Sequence, residues 1–208
     1  MINSALVMQD FETDSYWSIM SGDVIGGKLK GTKLKELPVS EKIQWKDWKK
    51  KHPDTVVLSV NGREDLPRNV YDPYFDSSEG FRGTKARDKR LKTKEPVFTF
   101  QIGAAKFAVP HKAFKGGKSF DVSGEHIFLY RPKKAAVFYS TIAYQSSGKG
   151  FALRNGKWVN LDNGATFNPQ SGKFEGPSAK AGAKLNGMDT FWYTWSLNNP
   201  DTNVLGKK

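Results

Sequence analysis

The sequence predicts a mostly β chain of the α+β class, built from two related β-rich modules that each carry one short tryptophan-bearing helix. Three observations carry that expectation. The stretch from Pro96 to Lys157 is a long strand-rich lead, with runs such as "PVFTFQIG" and "HIFLY" set between turn residues. The phrase "WKDWKKKHPDTVVL" at 45–58 returns at 192–205 as "WYTWSLNNPDTNVL". Ahead of each phrase lie an Asp-containing turn and a matching set of glycines.

The first module opens with "LVMQDFETDSYWSIMSGDVIGGKLKGTKL", in which an Asp-led turn joins two strand-like runs, then Gly22 and Gly26 fall four apart and Leu34 lies three beyond Gly31. In "PVSEKIQWKDWKKKHPDTVVLSV" the pattern predicts a helix over 41–51. Ser40 is placed to cap it, Glu41 suits the positive end of the dipole, and lysines crowd the last turn. Trp45 and Trp48, three apart, share a face with Ile43 in reach. Pro53 stops the helix, His52 caps its C-terminus, and "TVVLSV" reads as an exit strand. The turn-rich "DPYFDSSEGFRG" and the basic "KARDKRLKTK" at 85–94 then read as a solvated connection.

After the lead, "WVNLDNGATFNPQSGKFEGPSAKAGAKL" repeats the hairpin plan. Asp162 stands beside an Asn-Gly turn, Gly172 and Gly176 are four apart, and Leu185 lies three beyond Gly182. A second helix is predicted over 190–198, capped by Asp189 or Thr190 and ended by Pro200. Matching Asp10 to Asp162 divides the chain into an incomplete module at 1–80, a basic loop at 81–95 and a complete module at 96–208, expected to form one compact unit. The two helices are expected in equivalent positions, with Trp48 and Trp195 largely buried.

Composition bounds the function. With 38% hydrophobic residues, including 14 Phe, 7 Tyr and 6 Trp among 208, the chain can bury a core. It has no cysteine, which excludes disulfides, thiolate metal sites and cysteine nucleophiles. No run approaches the roughly 18 apolar residues of a membrane span, and "MINSALVMQDFETD" lacks the form of a secretory signal. The net charge of +12 attracts anionic partners. Lys42, Lys46, Lys49, Lys50 and Lys51 surround the first tryptophan pair, yet the second copy has lysines only at 207 and 208. A phosphate-gripping device would repeat its lysines with its tryptophans, so these read as a solvated face and no sequence-specific nucleic-acid binding is expected.

Few residues point to chemistry. The lead holds His111 and His126, either able to join a metal site with Asp121 or Glu125, although neither has a second histidine at ligand spacing. Asp10 and Asp162 are turn-formers first and ligand-binding acids second. These four are the candidate binding residues. "GKLKGTKL" and "GKGFALRNGK" match neither the phosphate loop nor the dinucleotide fingerprint, and no Gly-x-Ser-x-Gly elbow occurs. Neither a cofactor nor a catalytic residue is identified.

With these residues in hand, the chain resembles the bacterial and archaeal family catalogued as domain of unknown function 3179. The likeness rests on "NSALVMQDFETDSYWS", "GGKLKGTKLKELP", "WKDWKKKHPDTVVLS", "DPYFDSS" with "ARDKRLKTKEPV", and "FWYTWSLNNPDT". It implies an exported protein, periplasmic or extracellular, and no established reaction; a cytoplasmic protein is expected if Met1 is the true start. Many members carry a Pro-Leu-Cys type segment ahead of the point where this chain begins. Two functions stand as expectations. One is a noncatalytic binding or scaffolding module of the envelope, whose cleft has exposed aromatics and a basic rim and takes an anionic or glycan ligand. The other is a metal-dependent or redox enzyme or carrier whose active groups lie in a missing N-terminal segment.

Overall fold

The computed structural model describes residues 1–35, 42–59, 62, 71–137, 139–176 and 183–206. Near the start, β1 (Val7–Gln9), β2 (Tyr16–Ser18) and β3 (Val24–Gly26) form a small antiparallel sheet. The helix α1 (Trp45–Lys51) and the short α2 (Asp72–Asp76) come next. The lead then builds β4 (Pro96–Ile102), β5 (Ala105–Pro110), β6 (Lys118–Val122), β7 (Glu125–Tyr130) and β8 (Ile142–Ser146). It continues into β9 (Phe151–Arg154), β10 (Lys157–Asn160), β11 (Thr166–Asn168) and β12 (Lys173–Glu175). The described chain closes with β13 (Ala183–Lys184), β14 (Met188–Phe191), α3 (Trp192–Asn198) and β15 (Asn203–Val204).

Among the described residues the chain is mostly β, in layers. Strands β14-β4-β5-β15 form one sheet, β13-β8-β7-β6 a second and β12-β11-β10-β9 a third; pairing is antiparallel except β15 with β5. The period-two alternation of strands sets which face each residue meets. Phe98, Phe100, Phe107 and Val109 face Ile127, Leu129 and Ala143 between the first two sheets. On the far side of the second sheet, Phe128 and Tyr144 meet Phe151, Phe167 and Phe174 of the third. On the outer face of the first sheet, Val97 and Ala108 receive Trp192 and Trp195 of α3. The central strands β4 and β7 are thus buried on both faces, which is why they read as continuous apolar runs.

Several expectations need correction. The first helix starts at Trp45 with Gln44 as its N-cap; Ser40 and Glu41 lie outside the described residues. The second starts at Trp192 with Phe191 as N-cap, because Asp189 and Thr190 are taken by the strand β14. "DPYFDSS" supplies a third helix, α2, with proline at the start where its missing N–H costs nothing. The basic stretch is a strap rather than a free connection: Ala86 and Leu91 are buried against α3, whose Trp192 donates through Nε1 to Asp88 O at 2.9 Å. Arg90 stacks over the same ring, while Lys85, Arg87 and Lys92 stay in solvent.

The two hairpins share a bond pattern, at a register that differs from the expected one. Asp10 N donates to Ser15 O at 3.0 Å and Asn160 N to Ala165 O at 2.9 Å; Gly22 N to Ser18 O and Gly172 N to Asn168 O are both 2.8 Å. Asp10 therefore matches Asn160, not Asp162. The helix exits also agree. Trp48 Nε1 donates to Thr55 Oγ1 at 3.0 Å and Trp195 Nε1 to Thr202 Oγ1 at 2.8 Å. His52 and Asn199 are the C-caps, donating to Trp48 O and Trp195 O at 2.8 and 2.9 Å. Packing does not agree: Trp192 is 0% exposed and Trp45 48%, and Trp48 is only partly covered where Trp195 is buried. The run 55–59 is not a strand among the described residues.

Candidate functional site: a lysine-rimmed cleft on a buried charge network

The site begins with an arginine at the end of β7. Arg131 is 3% exposed, and burial pulls its guanidinium below the ordinary value against the opposing charge of Asp189. Asp189 stands in β14, where it was expected to cap a helix. It instead accepts from Thr141 N at 2.7 Å and Thr141 Oγ1 at 2.6 Å, with His111 Nε2 at 2.8 Å and Arg131 Nη1 at 3.4 Å. Arg131 Nη2 donates to Ala136 O at 2.8 Å, and Nη1 to Tyr139 O and to Thr141 Oγ1. Buried ions persist only when their donors and acceptors are met, and here Ala136, Tyr139 and Thr141 meet them. The pair therefore pins those residues against the sheet.

The pinned stretch at Tyr139–Thr141 is one wall of a cleft. Its floor is Phe98, Ile142, Ala143 and Leu185, its other wall the β11–β12 turn at Pro169–Lys173, and its rim Lys51, Lys173 and Lys184; the cavity measures about 160 Å³. Neither Lys173 nor Lys184 forms an ion pair with a described carboxylate. Tyr139 also lines an open shelf with Ile43, Trp45, Trp48 and Ala136. The shelf is held to the wall by two bonds, Ser140 N to Lys42 O at 3.0 Å and Lys42 N to Ser140 Oγ at 2.6 Å.

The four residues singled out in the sequence lie in three places. His111 belongs to the buried network and has no exposed face for a ligand. His126 and Asp162 are brought together: His126 Nδ1 lies 2.5 Å from Asp121 Oδ1, and Gly150, at φ +76, lets the chain pass where a Cβ would fall 2.5 Å from the ring. The Asp162 carboxylate is held below its usual range mainly by the Ser146 hydroxyl, then by the Lys149 amide and the His126 charge. Asp10 is the turn-former expected, lowered by Trp17 Nε1 at 2.7 Å and by Thr13. Among the described residues no group of three or more His, Cys, Asp and Glu could hold a metal ion, and no helix is long and apolar enough to cross a membrane. Sequence reasoning missed Arg131, Thr141, Asp189, Lys173 and Lys184. The one signal was an acid in "GMDTF", set between Met188 and the β-branched Thr190.

Because the folded pKa of Asp162 is depressed, its contribution is present above the usual carboxylate range and is lost as pH falls through the lowered value. Asp162→Asn should melt slightly below the parent at neutral pH, and the two melting curves should converge under acid; a gap that persists in acid would assign the effect to packing.

The model of the family described as "Protein of unknown function (DUF3179)" matches residues 1–202. No curated protein and no solved structure matches the chain.

Proposed function

The chain belongs to the family described as Protein of unknown function (DUF3179), and on that premise we propose that it is a noncatalytic binding module whose cleft takes a small ring-bearing acid. One observation carries the reading: a cavity of about 160 Å³ with an apolar floor and three lysines at its rim. An engineered cavity of about 150 Å³ holds one benzene, so this volume suits a single ring. The ring face would lie against Phe98, Ile142 and Leu185, and its carboxylate or phosphate would meet Lys173 and Lys184. Uronic acids fit this chemistry, and the export implied by the family resemblance would expose the cleft to acidic glycans.

The shared hairpin and helix-exit geometries support taking residues 1–80 as a partial copy of the module at 96–208, joined through 81–95. On this reading the cleft lies where the partial copy meets the complete one.

Calorimetric titration with glucuronate and benzoate, against glucose and benzyl alcohol, tests the function. The acids should bind and the neutral isosteres should not. Lys173→Glu with Lys184→Glu should weaken the acids by about tenfold or more at unchanged Tm. Equal binding of acids and neutral compounds, or none of either at millimolar concentration, rejects the reading. Duplex DNA gives a second check on the charge. Its binding should be sequence-independent and fall with salt, with a log-log slope of about 0.9 per neutralised phosphate. Sequence-selective binding that survives physiological salt would contradict it.

A further inference from the structure

We infer that the hollow across the β11–β12 turn from the cleft holds a ring of an acidic oligosaccharide, so that the ligand is longer than the single ring the cleft takes. The hollow opens where β10 and β11 part. Their ladder is registered at Val159 with Thr166 and stops before Trp158 meets Phe167 or Lys157 meets Asn168. Those four residues beyond the last pair line a space of about 810 Å³, closed below by Gly116 and Tyr130. Ligand pockets commonly measure about 300–1,000 Å³, so the space suits a sugar ring with its substituents.

The aromatic side of the hollow is already fixed. Trp158 Nε1 donates to Gly116 O at 3.2 Å, and its ring leans on Phe128 with centroids 5.1 Å apart. Gly117, at φ +104, admits that ring where a Cβ would fall 2.3 Å from the same nitrogen. Tyr130 rests on Phe167 with centroids 4.8 Å apart. Trp158 and Tyr130 are both partly buried, so the apolar C–H face of a sugar can lie against them with little further ordering.

The polar side is unused. The Tyr130 and Thr166 hydroxyls and the Gln170 side-chain amide have no hydrogen-bond partner among the described residues. Hydroxyls and amides both donate and accept, as the hydroxyls of a sugar do, whereas a hydrocarbon ligand would leave all three unmet. Charge selects the acidic kind of sugar. Lys133 and Lys157 line the hollow without an ion pair among the described residues, and the acid beside them, Glu175, is engaged by Asn168 Nδ2 at 3.0 and 3.1 Å and by the Ser171 hydroxyl. Pro169 and Gln170 line both the hollow and the cleft, so a chain of sugars passing over the turn reaches both. The inference deepens the cleft reading and rests on it for the second ring; the other residues of the hollow do not line the cleft.

The test is calorimetric titration of the full chain with tetragalacturonate, galacturonate and the neutral maltotetraose. Tetragalacturonate should bind about tenfold or more tighter than galacturonate, above the statistical factor of about four that its four rings give. Maltotetraose should bind far more weakly than the acidic tetramer. Lys133→Glu with Lys157→Glu should weaken the tetramer by about tenfold or more at unchanged Tm. Thr166→Val, which removes one hydroxyl at nearly constant shape, should weaken it in the same direction by a smaller factor. The inference is overturned if the tetramer gains nothing over the monomer beyond that statistical factor, if maltotetraose binds as tightly, or if the Lys133 and Lys157 changes leave tetramer binding at the parent value. Failure of the cleft reading alone would look different: Lys173→Glu with Lys184→Glu would leave the tetramer at parent affinity while the Lys133 and Lys157 changes abolish its binding, which supports the hollow and rejects the cleft.

Discussion

Replacing Trp195 with alanine should destabilise the chain by about 3–5 kcal/mol, the range for emptying a large aromatic from a packed core. Its ring is buried with Trp192, Val97 and Ala108, and its Nε1 bond to Thr202 shapes the turn into β15. The same change at Trp48 should cost about 1 kcal/mol, because that ring is only partly buried and loses chiefly one hydrogen bond to Thr55 and a face against His52. Urea unfolding of the two variants beside the parent measures both. Equal losses would show that α1 is covered as α3 is. A loss at Trp195 below about 1 kcal/mol would contradict the packing of α3 on the first sheet.

Asp189→Ala should also cost about 3–5 kcal/mol, because it strands the buried Arg131 beside an empty acceptor position. It also takes the acceptor from Thr141 N and Oγ1, so the cleft wall at Tyr139–Thr141 loses its anchor on the sheet. Arg131→Met combined with Asp189→Leu should recover much of that loss, since replacing both charges by apolar groups removes the uncompensated ion. The double-mutant cycle separates pairing from packing. If Asp189→Ala melts with the parent, the network does not hold the wall. If the paired variant recovers stability yet loses ring-acid binding, the charges are needed to shape the cleft rather than to keep the chain folded.

The acidic groups show how much of the site could be read in advance. Asp10 in its turn was legible, because a short side chain that bonds its own backbone acts locally. Asp189 was not. Its sequence neighbours allow a helix cap, and only β14 pairing with β4 turns it toward Thr141, Arg131 and His111. Lys173 and Lys184 are surface lysines in sequence, eleven positions apart, and become a rim only when the β11–β12 turn and β13 meet the start of β8.

By itself the sequence determined the β-rich class, the ends of both tryptophan helices at His52 and Asn199, and the matching turn glycines Gly22 and Gly172. These depend on backbone geometry within a few residues: where proline forbids a helix, where φ must be positive, and which side chain reaches the next free carbonyl. Tertiary structure decided what those elements bury. Two nearly identical turns leave Trp-bearing helices of the same length, and one is sealed under β4, β5 and the strap at 86–91 while the other stands partly in solvent. Burial depends on what lies across the interface, and that partner is set by strand pairing over nearly a hundred residues, Trp192 against Val97 and Val204 against Ala108. No local pattern carries that information, so the same phrase written twice packs in two different ways.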